Sequence, residues 1–235
     1  MESNDDWIYE HREGKVLIVS LADFGPETDE QKLAKAGPPT FTFGGSLAHS
    51  PASILFLRDR SRLWYHGGVQ GFSTDLESTA DRVRQIAGNR PVLAMGQSMG
   101  GYGALMLGIL GAATDVLAMS PQSFIDDEKR KKVHDPRWGW AVERVWKSTK
   151  TPQYLDLEAS MSGAFPSTRF VTYFGTEHPV DKYHASNIER APHSRTIPLG
   201  CGHLTGRHLR DSGELQQIVD AFSDQNVSNA ALESV

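Results

Sequence analysis

Short apolar runs recur along this chain, and polar or helix-patterned stretches separate them. They are residues 15–22 (KVLIVSLA), 53–57 (SILFL), 91–95 (PVLAM), 115–119 (DVLAM), 169–174 (RFVTYF) and 194–199 (SRTIPL). Apolarity without alternation predicts strands buried on both faces, as in a parallel sheet covered by helices. Residues 7–11 add a candidate edge strand. Between the runs, residues 73–86 open on a capping serine, carry Leu76, Val83 and Ile86 on one side, and meet Gly88 just beyond their end. That is a helix pattern. Residues 98–110, rich in Gly, Ala, Leu and Met, read as a helix pressed against the sheet, and residues 210–222 read as a closing helix.

Alternating strands and helices predict an α/β class: a mostly parallel central sheet flanked by helices on both faces. One domain spans residues 1–223, and residues 224–235 read as a polar tail. The rhythm breaks at residues 122–165, which carry the charge cluster 126–132 and then Trp138, Trp140 and Trp146, three of the five tryptophans. This insertion reads as a short helical cap. Its rings either face a substrate, with Trp138 and Trp140 as candidate binding residues, or anchor the insertion to the body.

Composition narrows the function classes. A chain of 235 residues can bury one sizeable core, and a net charge of −5 argues against nucleic acid or an anionic membrane as the main partner. Cys201 is the only cysteine, so no intrachain disulfide forms. The acidic start MESNDD lacks a signal-peptide pattern, and no run approaches the ~20 apolar residues of a membrane helix. A cytoplasmic protein is the expectation.

The chemistry begins at Gly96-Gln97-Ser98-Met99-Gly100, a G-x-S-x-G pattern directly after one apolar run and directly before a helix. A sharp strand-to-helix turn holds such a serine in a strained conformation with its hydroxyl exposed, and small residues on either side keep the turn free of collisions. The backbone N–H of Met99 would face a developing oxyanion. The wider sequence GQSMGGYG with its small-residue helix resembles the nucleophile elbow of the α/β-hydrolase superfamily. SMGGYGALMLG, residues 120–124 (SPQSF) and residues 181–185 (DKYHA) resemble a little-described bacterial group within it. The resemblance covers residues 15–222. It implies the α/β-hydrolase fold and a Ser–His–acid mechanism, and says little about substrate.

In that superfamily the acid and then the histidine follow the serine along the chain. Of the nine histidines, only His203 and His208 lie just past the last apolar run. His203, in Gly200-Cys201-Gly202-His203, is the leading candidate base. For the acid, the position three residues after Gly175 is His178, a departure from the common pattern. Asp181 resembles the acid of the bacterial group and leads, and it also stands where it would cap a helix. Glu177 is the nearer rival, and Asp126 and Asp127 are more distant ones. A second oxyanion donor is expected on the loop after residues 15–22, around Asp23 and Phe24. His66-Gly67-Gly68 follows the wrong strand and reads as a turn.

Other signals are weak. Residues 59–65 (DRSRLWY) carry an aromatic pair that lines a pocket or packs a loop, and Cys201 reads as a small filler rather than a reactive thiol. No metal-ligand spacing, P-loop or dinucleotide fingerprint is present, so no metal and no cofactor is expected. The reading is a serine esterase-like enzyme cleaving an ester or thioester of a small-molecule acyl substrate. An acyltransferase with the same triad and a catalytically idle binding protein are the alternatives.

Overall fold

The computed structural model describes residues 1–25, 29–164, 167–189, 191 and 193–224, with residues 33, 34 and 36 as backbone only. Eight strands form one sheet: β1 (Glu2–Asn4), β2 (Trp7–Glu10), β3 (Leu17–Leu21), β4 (Ser53–Leu57), β5 (Val92–Gln97), β6 (Asp115–Met119), β7 (Arg169–Gly175) and β8 (Ser194–Leu199). Their order is β1-β2-β4-β3-β5-β6-β7-β8. From β4 to β8 every pairing is parallel, while β2 runs antiparallel to β4 and β1 to β2. Every residue of β3, β4, β5 and β6 is buried, which is why these strands read as unbroken apolar runs.

Alternate residues of each strand feed two cores. Leu17, Val19 and Leu21 pack with α3 (Leu76–Ala87) and α4 (Met99–Ile109) on one face. Ile18, Leu93 and Met95 pack on the other with α9 (Thr205–Asp211) and α10 (Glu214–Ser223). The short α1 (Glu30–Ala36) and α2 (Gly44–Leu47) lie between β3 and β4. The insertion holds α5 (Asp127–Lys132), α6 (Gly139–Ser148), a 3-10 turn (Pro152–Tyr154) and α7 (Leu157–Ser162), and α8 (Asp181–Ser186) follows β7. Ala141, Val142, Val145, Leu157 and Met161 join the α4 core, so the insertion is part of the body and not a loose flap.

Several boundaries differ from the sequence reading. The helix expected at residues 73–86 starts at Leu76, because Asp75 caps it through a box with Ser78, while the Ser73 hydroxyl holds Val69. The closing helix is two, α9 and α10, broken at Gly213 with φ +82°. Asp181 is the first residue of α8 rather than its cap: Val180 holds the cap position, and its side chain makes no cap bond. β1 is exposed and carries no apolar signal. Most of the expected tail, residues 225–235, and residue 165 at the end of the insertion lie outside the described residues. Among the described residues, no helix is long and apolar enough to cross a membrane.

Candidate active site

Ser98 sits between β5 and α4 with φ +54° and ψ −118°, a conformation that costs a non-glycine residue about 1–3 kcal/mol. The two motif glycines make this turn possible. A Cβ on Gly96 would fall 2.3 Å from the Gly100 carbonyl, and one on Gly100 would fall 2.2 Å from the Leu21 oxygen. The second contact presses the start of α4 against the end of β3. Because Leu21 pairs with Gly96 in register, the loop that leaves β3 passes beside the serine. Met99, as the first residue of α4, has an N–H without an intrahelical acceptor. Phe24 is buried on the β3 loop beside it, where its carbonyl accepts from Arg62 at 3.0 Å.

His203 reaches the serine from the other side. Gly175, at the end of β7, has no room for a Cβ because the Gly202 carbonyl would lie 2.2 Å away. Glu177 N–H donates to the Cys201 carbonyl at 3.1 Å. These contacts join the loop after β7 to the loop after β8. As a result His203 Nδ1 lies 2.9 Å from both carboxylate oxygens of Asp181, and His203 Nε2 lies 3.0 Å from Ser98 Oγ. Gln122 Oε1 is a second, longer neighbour of Ser98 Oγ at 3.4 Å.

Asp181 is fully buried. Burial alone would raise its pKa, but hydrogen bonds from His203 and Ser120 and the favourable electrostatics of the neighbouring His203 and His178 imidazoles outweigh it and leave the carboxyl below its usual range. His178 Nδ1 lies 3.0 Å from Asp181 Oδ1 without the alignment of a hydrogen bond. Burial lowers the His178 pKa, and nearby Arg137 and His203 add to this against Asp181.

The rival residues have other places. Glu177 and His208 are exposed, Asp126 caps α5, and Asp127 pairs with Lys131. His66 is buried in a turn, bonded to Tyr102 and Thr149. Trp64 and Tyr65 pack a loop: the Trp64 ring meets Phe24 at 5.6 Å, and the Tyr65 hydroxyl donates to the Ala22 carbonyl. Cys201 is half-buried, and its thiol is raised by burial and by Glu177 and Asp181, so thiolate is disfavoured.

The insertion contributes to the site at Arg137 and Trp138. The Trp138 ring stands 5.2 Å from Phe24 and 6.5 Å from His203, and Trp140 stands 6.0 Å from Phe24. Trp146 is an anchor, its indole N–H donating to the Ile125 carbonyl at 2.7 Å. Arg137 was not foreseen. Its Nη1 lies 3.3 Å from Asp181 Oδ1, while Nε and Nη2 grip the buried Asp135 at 2.8 and 2.9 Å. Among the described residues, His178, Asp181 and His203 are the one set of donors close enough to share a cation, within 4.8 Å. Arg137 already supplies positive charge there, so the set is better suited to orienting an imidazole than to holding a metal.

An eight-stranded, mostly parallel sheet in this order, covered by helices on both faces, has known counterparts. The chain has the α/β-hydrolase fold. Similar solved structures include the capsule O-acetyltransferase of Neisseria meningitidis serogroup A, with TM-score 0.62 and 16% identity over 91% of this chain and 92% of that one. A lipase-esterase related protein from Clostridium acetobutylicum gives 0.54 and 12% over 90% and 97%. MenH from S. aureus gives 0.53 and 14% over 93% and 98%. At these identities the likeness concerns the fold alone. No protein-family model matches the sequence. No curated protein matches it significantly.

Proposed function

We propose that this α/β-hydrolase-fold protein is a serine hydrolase that cleaves an ester or thioester through an acyl-enzyme on Ser98. The observation that carries this reading is the unbroken line Asp181–His203–Ser98, with 2.9 Å at the Nδ1 end and 3.0 Å at the Nε2 end. The line fixes the tautomer: Nδ1–H donates to the carboxylate, so Nε2 is free to take the serine proton.

Ser98 Oγ attacks the carbonyl carbon while His203 Nε2 removes its proton, and Asp181 stabilises the resulting imidazolium. The backbone N–H groups of Met99 and Phe24 receive the oxyanion. His203 returns the proton to the leaving alcohol or thiol, the acyl-enzyme forms, and a water deprotonated by His203 releases the acid. Trp138 and Trp140, beside Phe24 and His203, form the apolar wall for the acyl group. The chemistry needs only the small acyl substrate and no cofactor. A panel of p-nitrophenyl esters and acyl thioesters of graded length should show turnover that Ser98→Ala abolishes; full activity in that variant would refute the reading.

The presence of an O-acetyltransferase among the similar structures favours one second reading, acyl transfer, in which an acceptor alcohol replaces water. Acylated acceptor among the products, formed at the expense of free acid, would select it.

A further inference from the structure

Next to the chain segments that carry Ser98 and His203 the structure opens a cleft of about 680 Å³, whose lining includes Gln97 and Leu204. Three of its lining residues tie it to the reacting centre. Gln97 immediately precedes Ser98, Leu204 immediately follows His203 and leads into α9, which carries Arg207, and Asp23 stands on the loop that carries Phe24. A carbonyl seated at Ser98 therefore has this cleft next to it.

The cleft is rich in donors. Gln97 is only 7% exposed, and its Oε1 is already taken by the Gly206 N–H at 2.8 Å, which leaves the Nε2 donor for the cleft. Arg207 and Arg210 stand at i and i+3, so both rise from one face of α9. Arg207 has no acidic partner among the described residues, and Arg210 meets only its exposed neighbour Asp211. Ser46 adds a hydroxyl across the gap. Asp23 is the one carboxylate on the lining, and one of its oxygens accepts from the Gly25 N–H at 3.0 Å. Two cations against one carboxylate is the reverse of the chain as a whole, whose net charge is −5.

We propose that this cleft binds an anionic group of the substrate, with Arg207 and Arg210 as counter-ions and Gln97 Nε2 as the directional donor. The anion is a phosphate on the leaving group or a carboxylate on the acyl group. The assignment rests on the proposal that Ser98 attacks that substrate.

Two matched pairs test it. Acetyl-4′-phosphopantetheine and acetyl-pantetheine share a thioester and differ in one phosphate, and mono-p-nitrophenyl succinate and p-nitrophenyl butyrate differ in one carboxylate. At least one charged member should exceed its neutral partner in kcat/KM by tenfold or more. The Arg207→Ala/Arg210→Ala double variant should erase that preference through KM and leave kcat on the neutral partner unchanged. The pair that responds identifies the source of the anion. Equal rates within both pairs, or a preference that survives the double variant, would overturn the proposal. Calorimetry on Ser98→Ala with the same four compounds reads binding without turnover. Tighter binding of a charged member that the added arginine substitutions remove supports the cleft even if the hydrolase reading fails, and equal binding within both pairs refutes the cleft even if hydrolysis is seen.

Discussion

Arg137 Nη1 lies 3.3 Å from Asp181 Oδ1, so the insertion after β6 reaches the carboxylate that faces His203 Nδ1 at 2.9 Å. The same guanidinium is held at its other edge by Asp135, a buried carboxylate that also lies 3.3 Å from His184 Nε2. Burial would raise the Asp135 pKa, yet His184 and Arg137 together hold it far below the usual range. A fixed charge pair in the insertion thus braces the Asp181 carboxylate.

Removing that brace should act on the chemical step. A charge-assisted hydrogen bond contributes about 1.5–3 kcal/mol, so Arg137→Ala should lower kcat by roughly 10–100-fold with KM little changed. Arg137→Lys should recover part of the loss, and added guanidinium should partly rescue Arg137→Ala. Because the alanine variant leaves Asp135 buried without its partner, its Tm should be measured alongside. A loss of Tm with kcat intact would reduce Arg137 to a structural part.

Exchange of the acid for its amide keeps the shape and loses the charge. In a serine protease such a change costs about four orders of magnitude in kcat, and Asp181→Asn should approach that loss. Glu177→Gln should change little, since Glu177 is exposed. Steady-state kinetics of the two variants on one ester decides the point, and the reverse pattern would move the acid to Glu177.

How far the sequence could be read follows from what is local. Residues 53–57 and 115–119 coincide with β4 and β6 because burial on both faces leaves an apolar run that needs no tertiary information, and residues 194–199 coincide with β8 although that edge strand is only partly buried. The elbow was visible because its closest contact is local: a Cβ on Gly96 would meet the backbone of Gly100, four residues on. The break at Gly213 was missed because apolar periodicity resumes beyond it. Arg137 was hidden by distance, since its partner Asp181 is 44 residues away and meets it only after the insertion packs. Asp181 itself stood outside the usual spacing: it is the first residue of α8, and His178 occupies the expected place.

Acid should destabilise the fold through His66. Its Nε2 lies 2.9 Å from the Tyr102 hydroxyl, whose proton goes to the Tyr154 carbonyl, so the ring is held neutral with its hydrogen on Nε2. Burial pushes the His66 pKa from 6.5 down to about 4. The unfolded chain therefore binds a proton that the fold resists, and stability present above pH 6.5 is lost as pH falls toward 4, by about 3 kcal/mol. Urea unfolding of His66→Gln should show a pH dependence flatter than that of the parent by about this amount. Parallel curves for the two proteins would contradict the assignment.

The nucleophile itself is open to one direct measurement. A fluorophosphonate should label the protein once, and peptide mapping by mass spectrometry should place the adduct on Ser98 within GQSMG. Labelling should vanish in Ser98→Ala and slow by several orders of magnitude in His203→Ala, where the hydroxyl has lost its base. An adduct on any other residue, or undiminished labelling of Ser98→Ala, would contradict the proposal that Ser98 carries the acyl group.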